Sequence, residues 1–175
     1  AAVPPERRRS LRTFAPSGPA GLSPETGRAL LDLASNDYLG LACHPQLQAA
    51  AARAMALEGV GAGASRLVSG SRPVHAALEQ ALAHWLGRER VLLFPSGFQA
   101  NLAAVAALAD RHSLVLADRL IHHSLLVGVQ ATGARLQRFA HNNLHDLAQR
   151  LQRCRAAAPQ RRLLVLSESL FSMEG

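Results

Sequence analysis

Read for the spacing of apolar positions, the chain falls into two stretches of different character. Residues 1–27 show no period at all. From residue 45 onward, apolar positions recur either every three to four residues or in short unbroken runs, which predicts helices and buried strands in turn. Helices are predicted over 46–57, opened by His44-Pro45 and closed by Gly59, and over 73–87, where Val74, Ala77, Leu78, Ala81, Leu82, Trp85 and Leu86 share a face. Beyond residue 90 the runs 91–94, 113–117, 134–139 and 161–167 read as strands. The segments starting at Gly97, His122 and Leu144 read as the helices between them, the last capped by Asn143. A further short strand is predicted over 28–33.

Strand, helix, strand, helix in regular alternation predicts an α/β fold with a mostly parallel sheet and helices on both faces. Ligands of such sheets bind beyond the C-terminal ends of the strands. The polar residues following the predicted strands are Ser96-Gly97, Asp118 with His122, His141-Asn142, and Glu168 with Ser172. These are expected on one edge.

Ser96-Gly97 is the pivot of that edge. A strand that stops at Ser-Gly and turns into a helix presents free backbone N–H groups at the helix start, where the helix dipole favours an anion such as a phosphate. The plainer reading is a serine N-cap between two packed elements. An imidazole could stack on a planar cofactor whose phosphate sat there. His122 and His123 both qualify, and adjacent helix residues do not face the same way, so at most one would stack.

Composition narrows the choice of partner. The 175 residues are 49% hydrophobic and 18% charged, which suits a packed core rather than disorder. No apolar run reaches the ~18 residues of a membrane span, and residue 1 is not followed by a secretory h-region. Cys43 and Cys154 form neither a disulfide framework nor a metal-ligand spacing, which points to a cytoplasmic protein without a metal. The net charge of +7 is fed by Arg7, Arg8, Arg9 and Arg12 near the start. One Trp, one Tyr and five Phe are too few for stacking platforms, so small anions are favoured over nucleic acid. All 19 basic residues are arginine, so no lysine amine is available within these residues.

Seven pieces then carry a resemblance. They are SNDYLGL at 35–41, GASRLVSG at 63–70, HAALE at 75–79, FPSGFQAN at 94–101, ADRLIHHSL at 117–125, FAHN at 139–142 and FSMEG at 171–175. In this order the chain resembles the first half of an α-oxoamine synthase, a family of pyridoxal 5'-phosphate enzymes of fold type I. The resemblance implies an N-terminal arm and short strand over 1–44, and over 45–175 the first part of the cofactor-binding large domain. It implies a cytoplasmic homodimer with shared active sites, the 61–71 loop approaching the partner subunit's cofactor. The reaction implied is decarboxylative condensation of L-alanine with a pimeloyl thioester, on CoA or a carrier protein, for biotin synthesis. Glycine- or serine-using members of the family, or a truncated non-catalytic paralogue, are the alternatives.

By the same resemblance, Ser96, Gly97 and Phe98 lie at the cofactor phosphate. His122 stacks on the pyridine ring and meets the substrate, and Ser172 stands near the ring hydroxyl. Glu168 orients its neighbours in a catalytic role, Asn36 faces the substrate, and Arg9 meets a substrate carboxylate. The family's Schiff-base lysine and ring-nitrogen aspartate match no position here, so the 175 residues alone are expected to be inactive.

Overall fold

A computed structural model of the protein describes residues 4, 8, 10–16, 21–24, 28–173 and 175. The chain gathers into two units, Ala1–Leu78 and Glu79–Gly175.

In the first unit, β1 (Phe14–Pro16), β2 (Gly21–Pro24) and β3 (Leu30–Leu31) form an antiparallel sheet in the order β1-β2-β3. β1 and β2 lie within the stretch expected as an N-terminal arm, and β3 within the short strand predicted over 28–33. Strands of two to four residues are too short to display a period of two, and a proline closes both β1 and β2. Helix α1 (Pro45–Glu58) follows, with Pro45 in its first turn and the His44 side chain accepting the Gln46 N–H at 3.3 Å. Gly59 ends it at φ +77°, a conformation that costs a residue with a Cβ.

The glycine-rich segment after α1 is folded back tightly. Ser65 O accepts from the Val68 and Gly70 amides, and a Cβ on buried Gly70 would stand 1.9 Å from Ala64 O. Helix α2 (Pro73–Leu86) then begins, its first turn closed by the His75 ring, whose Nδ1 accepts the Arg72 N–H at 3.0 Å.

In the second unit the order is α3 (Gly97–Leu108), β4 (Leu114–Asp118), α4 (His123–Thr132), β5 (Arg135–Phe139), α5 (Leu144–Ala157) and β6 (Leu163–Leu166). The strands form a parallel sheet in the order β5-β4-β6, the α/β architecture anticipated from the sequence. Central β4 is buried along its whole length. Its alternate residues Val115 and Ala117 sit in register with Leu164 and Leu166 of β6; Val115 packs with Val105 of α3 and Val129 of α4, and Ala117 with Ile121 and Phe171. On the opposite face Leu116 is aligned with Gln137, whose carbonyl lies 3.8 Å from Cys154 Sγ of α5. Helices therefore cover both faces.

Helices α3 and α4 approach closely because Gly128 has no side chain. A Cβ there would lie 2.9 Å from Val105 Cβ and 3.3 Å from Leu102 Cα.

One predicted strand is absent. Residues 91–94 are not paired with any described strand, and the Leu93 N–H instead donates to the Glu79 carboxylate at 3.0 Å. An apolar run has the composition of a strand, but a strand needs a neighbouring ladder, and a carboxylate occupies the donor here. No described helix is long and apolar enough to cross a membrane.

Candidate active site

The C-terminal ends of β4, β5 and β6 gather the polar residues that the alternation of elements places there. Asp118, the last residue of β4, is fully buried. Its Oδ1 accepts from Leu120 N at 2.8 Å and lies 2.9 Å from His141 Nδ1, while Oδ2 accepts from Asn142 N at 2.9 Å. Burial pushes the carboxyl group up, but the two backbone amides and the His141 ring outweigh it and hold Asp118 below the ordinary 3.8. An ionised carboxylate only accepts, so His141 Nδ1 carries the hydrogen. Nε2 then accepts from Asn142 Nδ2 at 3.2 Å, which assigns one tautomer to the ring.

Asn142 adopts φ +51° to deliver its amide, a conformation asparagine tolerates better than most residues. The edge of buried Phe171 meets the His141 ring at 4.6 Å between centroids and 89° between planes. Asp118 thus ties the ends of β4 and β5 together, and His141 carries the tie to the segment after β6.

The second cluster sits where α3 and α4 begin. Ser96 is the N-cap of α3, its Oγ accepting from Gln99 N at 3.2 Å and its carbonyl from Ala100 N. The Gly97 and Phe98 amides have no protein acceptor among the described residues, and a Cβ built on Gly97 meets nothing within 4 Å. The helix start is therefore an open pair of N–H donors, and the N-cap and anion-site readings of Ser96 are compatible.

His122 is the N-cap of α4. Its Nδ1 accepts from Ser124 N at 3.2 Å and lies 2.6 Å from Ser124 Oγ. Buried Ser124 accepts in turn from Asn101 Nδ2 of α3 at 2.9 Å. The Ser124 hydroxyl hydrogen is then free to point at His122, so Nδ1 is the acceptor and Nε2 carries the hydrogen outward. The His122 backbone N–H donates to Glu168 Oε1. One chain of bonds, Asn101 to Ser124 to His122 to Glu168, therefore sets the two helix starts and the end of β6 side by side.

His122 and Glu168 are joined at this edge, and Ser96, Gly97 and Phe98 open the helix whose Asn101 bonds Ser124. His123 is exposed in the first turn of α4 and takes no part in the chain of bonds. Ser172 lies exposed in the turn where Phe171 and Gly175 exchange backbone hydrogen bonds. Asn36 is in the first unit, exposed in a turn where Ser35 Oγ accepts from Asp37 N and the Asp37 carboxylate takes the Leu41 and Ala42 amides. Arg9 lies outside the described residues. Asn101 and Ser124 were not singled out by sequence. No group of three or more described His, Cys, Asp or Glu residues could hold a metal ion.

Two free amides at the start of α3, with an imidazole of fixed tautomer at the start of α4, fit a phosphorylated planar cofactor. The model of the family described as aminotransferase class I and II matches residues 28–175. An 8-amino-7-oxononanoate synthase of Anaeromyxobacter sp. (strain Fw109-5) is 46% identical over 169 residues, covering 96% of this chain and 41% of that protein. Among solved structures, Sphingomonas wittichii serine palmitoyltransferase superposes with a TM-score of 0.84 at 32% identity, covering 90% of this chain and 39% of that one. A serine palmitoyltransferase from S. paucimobilis, solved with a bound adduct of PLP and myriocin, superposes at 0.85 with 29% identity over 92% of this chain and 40% of that one. The chain spans about two fifths of the length of these relatives.

Proposed function

The chain belongs to the aminotransferase class I and II family, of fold type I and with pyridoxal 5'-phosphate as cofactor, and we propose that the protein it forms condenses L-alanine with a pimeloyl thioester to 8-amino-7-oxononanoate. Carbon dioxide and the thiol of CoA or of a carrier protein are released. The observation that carries this reading is the bonded chain from Asn101 through Ser124 and His122 to Glu168, set beside the free Gly97 and Phe98 amides.

In this reading the Gly97 and Phe98 amides, with the α3 dipole behind them, hold the phosphate. His122 lies against the ring and presents Nε2–H to the substrate carboxylate, a task that needs one tautomer, which Ser124 enforces. Glu168 holds the His122 backbone in place. Ser172 serves the ring hydroxyl, while Asn36 and Arg9 serve the substrate. Bound at this edge, the cofactor supplies an electron sink for the carbon bearing the amino group. These 175 residues contain no lysine to tether it, so by themselves they perform no turnover. The working enzyme is a cytoplasmic homodimer whose two chains share the active sites.

A serine-using reading is favoured by the two serine palmitoyltransferase structures above, and opposed by the sequence, which is 46% identical to an 8-amino-7-oxononanoate synthase and 32% or less to those two structures. The deciding experiment presents the full-length, cofactor-loaded protein with L-alanine, glycine or L-serine, each with pimeloyl-CoA and palmitoyl-CoA, and follows thiol release. Turnover with L-alanine and pimeloyl-CoA at least tenfold above every other pair is expected. Preference for L-serine and palmitoyl-CoA would replace the alanine reading with the serine one.

A further inference from the structure

The opposite, N-terminal edge of the parallel sheet holds a second concave site that the reading above does not use. A cavity of about 610 Å³ opens there, lined by Arg111, Arg135, Arg161 and Arg162 together with the 110–113 turn. Backbone bonds fix its walls: Leu114 N donates to Arg162 O at 2.9 Å, and Arg135 N donates to Ser113 O at 3.1 Å. The arginines are thus carried on the entries to β4, β5 and β6, which the sheet holds in register.

The charge inside this cavity is poorly balanced. Asp110 is its single carboxylate, and Oδ1 is engaged by the Ser113 hydroxyl at 2.7 Å and the His112 amide at 2.9 Å. The Ser113 hydroxyl bond leads the causes that hold Asp110 below its ordinary value, so it stays ionised and turned to its own turn rather than to an arginine. Arg162 Nη1 donates to Leu108 O at 3.2 Å and Arg111 Nε to His112 Nε2 at 3.1 Å, which orients those two guanidinium groups and leaves most of their donors unspent. Arg135 and Arg161 have no side-chain acceptor among the described residues.

We propose that this cavity is a binding site for a small polyphosphate anion. Guanidinium forks match phosphoryl oxygens in pairs, and several forks around one concavity suit a chain of phosphates better than a single carboxylate. The volume is that of a small-molecule site, and the arginines converge on a hollow rather than spreading along a flat face as an acidic polypeptide would need. The proposal is independent of which amino acid the active site uses.

The test is calorimetric titration of the full-length, cofactor-saturated protein, so that the Gly97–Phe98 amides are already engaged, with tripolyphosphate, orthophosphate, ATP and a poly-glutamate peptide at 0.15 M salt. Tripolyphosphate is expected to saturate one site per chain with Kd of about 10–100 μM and to bind at least tenfold more tightly than orthophosphate. The double variant Arg135→Gln/Arg161→Gln, whose side chains are exposed and outside the active site, should weaken it at least tenfold and leave turnover unchanged. Arg161→Gln alone, on a loop, gives a smaller loss in the same direction. ATP binding as tightly as tripolyphosphate assigns a nucleotide as the source of the chain of phosphates, and weaker ATP binding assigns an inorganic one. Unchanged binding by the double variant, no saturation by 1 mM, or tighter binding of poly-glutamate than of tripolyphosphate overturns the proposal.

Discussion

The Ser124 hydroxyl stands 2.6 Å from Nδ1 of His122, and because it accepts from Asn101 Nδ2 at 2.9 Å its own hydrogen is left for the histidine. A buried serine on α4, with its backbone N–H, thereby decides which nitrogen of an exposed imidazole carries the proton. Replacing Ser124 by alanine removes the hydroxyl donor and takes from the Asn101 amide its acceptor at a fully buried position. Ser124→Ala should cost about 1–3 kcal/mol of stability by denaturant unfolding. In ¹⁵N spectra the His122 Nδ1 resonance should shift with loss of the hydroxyl bond while the ring keeps its Nε2–H form, because the backbone N–H of residue 124 still donates to Nδ1. A wild-type spectrum showing Nδ1–H would overturn the assignment.

Asp118 yields a prediction with a pH signature. Its carboxyl group is held below 3.8 in the folded protein, so its stabilising contribution is complete above the unfolded value and is lost as pH falls through the folded one. Asp118→Asn turns one acceptor oxygen into an NH₂ group facing an N–H, either of Leu120 or of Asn142. The variant should be about 2–3 kcal/mol less stable at pH 7. The gap to wild type should narrow below about pH 4, measured by urea unfolding across pH 3–7. A gap that widens toward acid would show that the carboxylate is not the stabilising form.

How much of this was legible in the sequence differs between the two units for a physical reason. In the second unit, β4, β5 and β6 are strands separated by helices around a buried centre, so their apolar runs and turn residues announced both the elements and the edge where His122 and Glu168 meet. Residues 91–94 have the same composition, yet pairing depends on a neighbour that composition does not encode, and the Glu79 carboxylate takes the Leu93 amide instead. In the first unit β1 and β2 left no period to read. The Asn101–Ser124 bond joins residues 23 positions apart, each ordinary in its own helix. A polar residue placed on the inner face of an alanine-rich helix was the one available signal, and it is weak.

Helix packing supplies a third prediction. Gly128 lets α4 lie against α3, where an added methyl group would stand 2.9 Å from Val105 Cβ and 3.3 Å from the Leu102 backbone. Val105 is itself buried against β4, so it cannot simply turn away. Gly128→Ala gains helix propensity worth roughly 1 kcal/mol and loses about 1–3 kcal/mol to overpacking. A net loss of stability is expected in thermal unfolding. The second substitution Val105→Ala should not relieve it, because alanine keeps the Cβ that stands 2.9 Å away and the Leu102 backbone is untouched. A Tm for Gly128→Ala at or above wild type would mean the helices separate without cost.

The cap of α3 supplies the fourth. Ser96 Oγ takes the Gln99 N–H at 3.2 Å and leaves the Gly97 and Phe98 amides open, so the serine shapes the anion site without having to touch the anion. Ser96→Ala should therefore lower stability by about 1 kcal/mol, the usual cost of an N-cap. In the full-length protein it should also weaken pyridoxal 5'-phosphate a few-fold, because a frayed first turn no longer aims its amides. Ser96→Asp keeps a cap acceptor but adds a negative charge. It should hold the stability of wild type while losing much more cofactor affinity, since a carboxylate beside the amides repels the phosphate. Absorbance titration of the cofactor and thermal unfolding, run on both variants, separate the two effects. Cofactor affinity undisturbed in Ser96→Asp would place the phosphate away from the start of α3.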